Sequence, residues 1–245
     1  MNQVQRFRFN VLTLVVVALL AAPFDEGRLA AATPQEAKVR VVQDVPFLPD
    51  ALRKPMQRAD ETTLPGLMDI YMPAQGELRP AVVVIHGGGW GFRRRREAVF
   101  VKASTQLAEA GFVAACIDYM LVPDAAKGHS YLRNMASSFP RNVQDVKSAV
   151  RYLRKNAAKY GIDPDRIALV GASAGGHLAA LAGFTSPADG LEPVDDGLGD
   201  VSSAVQAVVA YYGVFDVAKW GWKPKQAHTD EEMKKVKTGS PSHYV

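Results

Sequence analysis

A serine flanked by glycines carries the clearest chemical signal in this chain of 245 residues. The segment Gly171-Ala172-Ser173-Ala174-Gly175 follows a strand-like run, Arg166–Val170, and precedes a stretch of small residues that favours a helix, Gly176–Ala182. Strand, G-x-S-x-G and helix in this order predict a tight turn that lifts a nucleophilic serine above a sheet. The turn needs its glycines because side chains there would collide with the neighbouring strand or helix, and the serine itself adopts a strained backbone.

A run of consecutive glycines forms a second motif. The apolar, β-branched segment Ala81–Ile85 indicates a strand buried on both faces, and it ends in His86-Gly87-Gly88-Gly89-Trp90. Glycines leave backbone N–H groups free to approach a ligand, and preorganised N–H donors stabilise the oxyanion of ester hydrolysis by about 3–4 kcal/mol each. The alternative interpretation is a flexible loop. Two motifs that each follow a strand, in this order, favour the catalytic interpretation.

The composition indicates an ordinary globular domain. Apolar residues make up 48% and charged residues 22% of the chain, which is enough for a substantial core. The formal net charge of +4 is modest and gives no indication of nucleic-acid binding. We therefore expect a single domain over residues 33–245.

The amino terminus has the order of a secretory signal peptide. Arg6 and Arg8 precede an apolar stretch, Val11–Ala22, that is too short to span a bilayer, and the small residues Ala30–Ala32 follow. Residues 1–32 are predicted to be a signal peptide, with cleavage after Ala22 or retention as an anchor as alternatives. The expected location is secreted or periplasmic, without stable membrane association after cleavage.

Cysteine and histidine spacing predicts neither a metal site nor a cofactor. Cys116 is the single cysteine and lies inside an apolar run, Phe112–Ile117, where a buried thiol is usually inert. The chain contains no C-x-x-C or H-E-x-x-H pattern.

Strand-like and helix-like segments alternate along the chain. Edge, early and central strands are predicted at Val39–Val45, Leu67–Pro73, Ala81–Ile85, Phe112–Asp118, Arg166–Val170 and Val205–Tyr212, and helices at Glu97–Ala110, from Val143 to Tyr160, and after Ser173. Alternation in Leu67–Pro73 predicts a half-exposed strand. Strands alternating with helices imply a doubly wound, mostly parallel α/β sheet.

These motifs together resemble the α/β-hydrolase superfamily. Within it, the chain is most similar to small exported bacterial esterases of the feruloyl- and acetyl-xylan-esterase kind, near the hormone-sensitive-lipase-like group. The resemblance extends from about Leu67 to the end of the chain. It rests on His86–Trp90, Asp118–Leu121, Asp145 with the helix through Tyr160, Gly161–Arg166, Gly171–Leu178 and Tyr211–Asp216.

The resemblance implies a role for each residue of these motifs. Ser173 is the expected nucleophile, Gly88, Gly89 and Ala174 are the expected oxyanion-hole donors, and Trp90 is expected to line the acyl or alcohol pocket. His86 is expected to prop the loop, and His177 to be a packed or surface histidine. The implied substrate is a small-molecule or glycan ester.

The general base is the missing part of this pattern. In this fold the triad follows the chain order Ser, Asp or Glu, His, with the last two on loops after later strands. Only one good strand follows Ser173, so we expect the chain to be truncated before its base and to lack its last strand–helix units. Asp216 is a candidate acid, although a turn role is favoured. His228 and His243 lie in polar stretches and are expected to be solvated.

Arg93-Arg94-Arg95-Arg96 allows two interpretations. The first is a solvated start of the following helix, despite the unfavourable helix dipole. The second is a basic rim that attracts anionic esters such as those of uronic acids.

Three functions remain open from the sequence. The first is a carboxylic ester hydrolase that works through a serine acyl-enzyme. The second is a serine peptidase of the same fold, although the chain has no room for the usual propeller or cap. The third is a non-catalytic binding protein or inactive fragment that lacks the catalytic Asp and His.

Overall fold

The computed structural model describes residues 39–53, 56–57, 62–74, 78–92, 94–122 and 138–216. The predicted signal peptide, Arg93, His228 and His243 lie outside these ranges. Among the residues described, no helix is long and apolar enough to cross a membrane.

Strands and helices alternate as the sequence predicts. The strands are β1 (Val39–Pro46), β2 (Met56–Gln57), β3 (Thr62–Thr63), β4 (Leu67–Pro73), β5 (Arg79–Ile85), β6 (Val113–Ile117), β7 (Ile162–Ala172) and β8 (Ala207–Tyr211). The α-helices are α1 (Ala98–Glu109), α2 (Arg141–Lys155), α3 (Ala157–Tyr160) and α4 (Ala174–Phe184), and short 3₁₀ turns lie at Asp50–Leu52 and Pro187–Asp189.

The main sheet has the strand order β1-β4-β6-β5-β7-β8. Strands β6, β5, β7 and β8 pair in parallel, whereas β1 and β4 are antiparallel to their neighbours. β2 and β3 form a separate antiparallel pair. The predicted doubly wound, mostly parallel sheet is thus confirmed, with β1 at the predicted edge.

Both faces of the central strand β5 are buried. Val83 and Ile85 join the cluster that contains residues of α2 and α4. Val82 and Val84 join a second cluster with residues of α1. Helices therefore cover both faces of the sheet. Because both faces of β5 are buried, its residues are apolar without interruption.

The prediction that Leu67–Pro73 is half-exposed is wrong. From Met68 to Met72 every residue of β4 is buried. The strand lies between β1 and β6, and its polar residue Asp69 is buried in ion pairs with Arg95 and Arg96. Alternation here separates two buried faces, one of which carries a paired charge.

Cationic residues of α2 fix the acidic segment between α4 and β8. Lys147 Nζ donates to Glu192 Oε1 over 2.7 Å, and Arg151 donates to Glu192 Oε2 over 2.6 Å. Arg151 also lies 3.3 Å from Asp196, which accepts a 2.9 Å hydrogen bond from Ser148. This paired network attaches the segment before β8 to the helix layer, so β8 reaches its place beside β7.

Candidate active site

Ser173 occupies a strained turn between β7 and α4. Its backbone has φ 55° and ψ −120°, a conformation that non-glycine residues rarely adopt. The Ser173 N–H donates to the Tyr211 carbonyl at the end of β8 over 2.9 Å, and the Ser173 carbonyl accepts from the His177 N–H over 3.0 Å. Neighbouring strand and helix therefore hold the turn in the form predicted for a nucleophile elbow.

The glycines on either side of Ser173 allow this turn to close. A Cβ atom on Gly171 would overlap the carbonyl oxygen of Gly175. A Cβ atom on Gly175 would overlap the Ile85 carbonyl oxygen and lie 2.6 Å from that of His86. The start of α4 thus packs backbone to backbone against the end of β5.

The glycine loop, defined as residues 86–92, lies directly against the elbow. A Cβ atom on Gly87 would lie 2.7 Å from the Ala172 carbonyl oxygen and 3.3 Å from Ser173 Cβ. Gly88 has φ 115°, which favours glycine, and its carbonyl accepts hydrogen bonds of 3.1 Å from the N–H groups of Gly91 and Phe92. The two sequence motifs therefore meet in space, and backbone hydrogen bonds hold the loop in a defined turn.

His86, the first residue of the glycine loop, has a buried side chain that contacts Gly87 and Tyr119. It is fully buried, and its ring stacks on Tyr119 with centroids 4.4 Å apart. Its Nδ1–H donates to the Gly87 carbonyl over 2.8 Å, and the Tyr119 hydroxyl donates to the His86 carbonyl over 3.0 Å. The propping role implied by the resemblance fits these contacts.

Trp90 of the glycine loop and His177 of α4 pack against each other as two buried rings. Trp90 is 1% exposed and His177 is 0% exposed, and their rings meet edge to face with centroids 5.3 Å apart. Burial disfavours the imidazolium form and lowers the pKa of His177 to about 4. Of the two expected positions for His177, packed or at the surface, the structure shows the packed one. That Trp90 lines the substrate pocket stays a prediction.

Arg95 is a buried structural cation. It pairs with Asp118 through side chain and backbone, with Asp69 at 3.1 Å, and with Asp44. Arg96 pairs with Asp69 at 2.7 Å and Asp44 at 2.8 Å. Burial raises the pKa of Asp69, but hydrogen bonds from Arg96 and the Asp44 N–H, with the charge of Arg95, hold it below its usual value.

Both interpretations of Arg93–Arg96 need correction at Arg95. Its side chain is 7% exposed, so it belongs neither to a solvated helix start nor to a substrate-facing rim. α1 begins at Ala98, after the arginine run has ended. The partners are Asp44 of β1, Asp69 of β4 and Asp118, which directly follows β6, and all three are distant from Arg95 in sequence. A rim role for Arg94 stays a prediction.

The described residues do not place an acid or base beside Ser173. Of the 5 histidines, His86 and His177 lie in the described part, and both are buried. Asp216 is exposed after the end of β8 and remains a candidate acid. The described residues contain no group of three or more His, Cys, Asp or Glu that fits a metal ion. Cys116 is buried as predicted, and burial raises the pKa of its thiol.

Sequence reasoning located Ser173 and the glycine loop but missed two contributions. One is the Tyr211 carbonyl, which accepts a hydrogen bond from the Ser173 N–H. Every residue has a backbone carbonyl, so the sequence could not indicate this contact. The other is the Asp118 carboxylate, which accepts a 2.8 Å hydrogen bond from the Arg95 N–H and thereby holds the chain that follows the glycine loop. The sequence did offer an indication of the role of Asp118, because a charged residue directly follows the apolar strand β6.

Comparison with known proteins points to esterases. The sequence model of the BD-FAE family matches residues 68–243. The chain is 32% identical over 182 residues to esterase LipQ of Mycobacterium tuberculosis, covering 71% of this chain and 39% of LipQ. It is 35% identical over 152 residues to esterase LipC of the same organism, covering 61% of this chain and 34% of LipC. The chain thus spans less than half the length of these curated relatives.

The chain is also similar to solved structures of esterases. A truncated form of a carbohydrate esterase from gut microbiota superposes with a TM-score of 0.58 at 28% identity, covering 75% of this chain and 60% of that one. The butyrate-bound esterase Est2 of Thermogutta terrifontis superposes with a TM-score of 0.53 at 30% identity, covering 70% of this chain and 57% of that one.

Proposed function

The chain belongs to the BD-FAE family of α/β-hydrolase esterases, and from this premise we propose that it is a carboxylic ester hydrolase whose nucleophile is Ser173. One observation carries the proposal. The strained Ser173 turn lies in contact with the glycine loop, the arrangement that acyl transfer through a serine requires. Non-catalytic binding would not need the strain, which persists only because neighbouring backbone groups hold it.

The proposed reaction has two steps. Ser173 Oγ attacks the ester carbonyl carbon and passes its proton to a base, and the alcohol leaves with a proton as its C–O bond breaks. Water then attacks the acyl-enzyme and releases the acid. In each step the oxyanion is proposed to accept hydrogen bonds from the backbone N–H groups of Gly88, Gly89 and Ala174.

Neither described histidine is placed to act as that base. The Nδ1–H of His86 is directed to the Gly87 carbonyl, and the ring of His177 packs against Trp90. Asp216 is retained as the candidate acid within the described residues. The base is therefore sought among histidines elsewhere in the protein.

The proposed substrates are esters of short acids, including those linked to carbohydrate. Similarity to a carbohydrate esterase and to a butyrate-bound esterase supports this range. We also propose that the protein is exported, since residues 1–32 have the order of a signal peptide. Acetylated glycans outside the cytoplasm would then be accessible to it.

The test compares two serine variants on p-nitrophenyl acetate and on acetylated xylo-oligosaccharides. Ser173→Ala removes the nucleophile and should lower kcat/KM by about four orders of magnitude or more. Ser202→Ala, at an exposed serine of the segment before β8, is the matched control and should stay within about twofold of the original protein. Fluorophosphonate labelling, mapped by mass spectrometry, should mark Ser173. Equal rates for the original protein and Ser173→Ala would reject the proposal.

A further inference from the structure

We propose that His177 is a positioning residue that holds the glycine loop against α4, the helix that directly follows Ser173 and is called the nucleophile helix below, through its contact with Trp90. The inference rests on the proposed esterase function for its kinetic consequence. The contact itself rests on the geometry of two buried rings, so it can be tested without any substrate.

His177 is tied to the nucleophile by the backbone. Its N–H donates to the Ser173 carbonyl over 3.0 Å, which places the imidazole one helical turn beyond the serine. The side chain is 0% exposed. The ring is therefore part of the same rigid unit as the elbow, and any group that packs on it is positioned relative to Ser173.

Trp90 is itself part of the glycine loop. It directly follows Gly88 and Gly89, the proposed oxyanion donors, and has φ 59°, a strained value for a residue with a side chain. Its carbonyl accepts a 2.8 Å hydrogen bond from the Val122 N–H. A strained residue keeps its conformation only where its surroundings fix it, and the buried indole supplies such a fixation.

The two rings meet at an interplanar angle of 89°, which is the favoured edge-to-face arrangement of aromatic rings. Within the described part of the chain, neither ring nitrogen of His177 has a hydrogen-bond partner. Burying an unpaired polar ring is unfavourable compared with burying an apolar side chain. Simple filling of space does not account for this residue type, whereas a directional contact between the nucleophile helix and the glycine loop does.

The kinetic test separates this contact from general loss of core contacts. His177→Asn removes the ring, and His177→Phe keeps a ring that can meet Trp90 edge to face. Leu181→Val, one turn further along α4 and equally buried, is the matched control. We expect His177→Asn to lower kcat by about tenfold or more with KM within about twofold, because only the oxyanion donors are displaced. His177→Phe should recover most of kcat, and Leu181→Val should retain it.

Two kinetic results would overturn the proposal. One is an unchanged kcat in His177→Asn. The other is an equal loss of kcat in all three variants, which would indicate a general loss of stability.

The spectroscopic test does not depend on catalysis. Trp90, Trp220 and Trp222 are the 3 tryptophans, so Trp220→Phe with Trp222→Phe leaves Trp90 as the only indole. A protonated imidazole in contact quenches indole fluorescence. We expect a step in Trp90 emission with a midpoint near the His177 pKa of about 4, and its loss in His177→Asn. Carboxyl groups also titrate in this range, so the difference between the two curves is the diagnostic quantity.

The emission maximum at pH 7 gives a second readout should the protein unfold in acid. His177→Asn should shift it to longer wavelength because the indole becomes more accessible to water. A protein that hydrolyses no ester but shows both fluorescence effects would contradict the proposed function and support the contact. A protein that hydrolyses esters and shows neither effect would overturn the inference.

Discussion

At Ser173, the proposed nucleophile, a single added methyl group decides whether the turn can form. Gly171→Ala would place a methyl group on the Gly175 carbonyl oxygen, and backbone on both sides leaves no room for adjustment. We expect a loss of unfolding free energy of more than about 3 kcal/mol, at or beyond the upper end of overpacking effects, together with loss of hydrolysis. Urea unfolding followed by circular dichroism measures the first effect.

Gly199→Ala provides the matched control for that substitution. An added Cβ at Gly199 meets no atom within 4 Å, and the residue does not adopt a positive φ. Its unfolding free energy should change by less than about 0.5 kcal/mol. If Gly171→Ala were as harmless as Gly199→Ala, the close approach of β7 to α4 would be wrong.

Residue types and spacing were sufficient to locate Ser173 and the glycine loop. Their requirements are local, because a strand, a glycine-flanked serine and a helix adjoin in sequence. The burial of Arg95 was not predictable in this way, since consecutive arginines normally indicate a solvated surface. Its partner Asp118 is 23 residues further along the chain, and only the folded sheet brings the two together.

At the level of elements, Arg95 connects the strands to the glycine loop. Arg95→Met keeps the volume of the side chain but leaves the buried carboxylates of Asp69 and Asp118 without this cation. We expect a loss of about 3–5 kcal/mol of unfolding free energy, the usual result of removing one partner of a buried ion pair. Because Asp118 also holds the chain after the glycine loop, hydrolysis should fall more than folding alone explains.

Arg166→Met is the matched control for Arg95→Met. Arg166 pairs with Asp163 at 2.6 Å, but its side chain is 48% exposed. Exposed pairs of this kind contribute about 0–1 kcal/mol, so this variant should unfold at nearly the original urea concentration. Equal midpoints for the two variants would show that the buried ion pairs of Arg95 with Asp69 and Asp118 stabilise the fold no more than an exposed pair does.

The periodicity of apolar residues predicted most strands and helices. It failed for β4, which is buried because it lies between β1 and β6 in the sheet. β5 and β6 were identified from continuous apolar runs, and α2 and α3 from apolar residues at helical spacing up to Gly161, whose φ is 64°. For β4, alternation was taken as exposure of one face. Asp69 is the charged residue in that alternation, but it is buried because Arg95 neutralises its charge. Arg95 is distant in sequence, so the local pattern of β4 could not reveal this pair.

For the whole molecule, the sequence determined the class of fold but not the strand order. The order β1-β4-β6-β5-β7-β8 depends on pairings such as β5 with β7, which join residues of widely separated segments. The candidate site could be predicted up to Ser173 and its glycine loop, because both lie at ends of central strands. The described residues do not identify an acid and a base for Ser173, and Asp216 after β8 stays a candidate acid.

The unfolding free energy of the whole molecule depends on pH, and the contribution of one buried carboxyl group, Asp145, should be measurable by substitution. Asp145 is fully buried in α2, where its carboxylate pairs with Arg141 and accepts a 2.8 Å hydrogen bond from the Met120 N–H. Burial raises its pKa to about 6 from 3.8, although Arg141 and the Met120 N–H offset part of the effect. Between pH 3.8 and about 6, Asp145 therefore keeps its proton in the folded protein, whereas the same carboxyl group is mostly ionised in the unfolded chain.

The sign of the effect follows from that proton. The contribution of Asp145 to stability is fully present below its unfolded pKa of 3.8 and is lost as the pH rises through about 6. Asp145→Asn keeps an acceptor for the Met120 N–H and removes the titration. Its unfolding free energy relative to the original protein should therefore rise between pH 4 and pH 7, by on the order of 2–3 kcal/mol at 1.36 kcal/mol per pKa unit.

Asp163→Asn is the control for sign. A hydrogen bond from Arg166 lowers the pKa of Asp163, so the stability contributed by this carboxylate is present above 3.8 and is lost as the pH falls. The unfolding free energy of Asp163→Asn relative to the original protein should therefore stay nearly constant between pH 4 and pH 7 and rise only as the pH falls below 3.8, whereas that of Asp145→Asn rises between pH 4 and pH 7. Urea unfolding of all three proteins at pH 3, 4, 5, 6 and 7 covers both windows. Parallel slopes for the two variants would mean that Asp145 is not the buried, proton-retaining carboxyl, because only a raised folded-state pKa produces a rising difference.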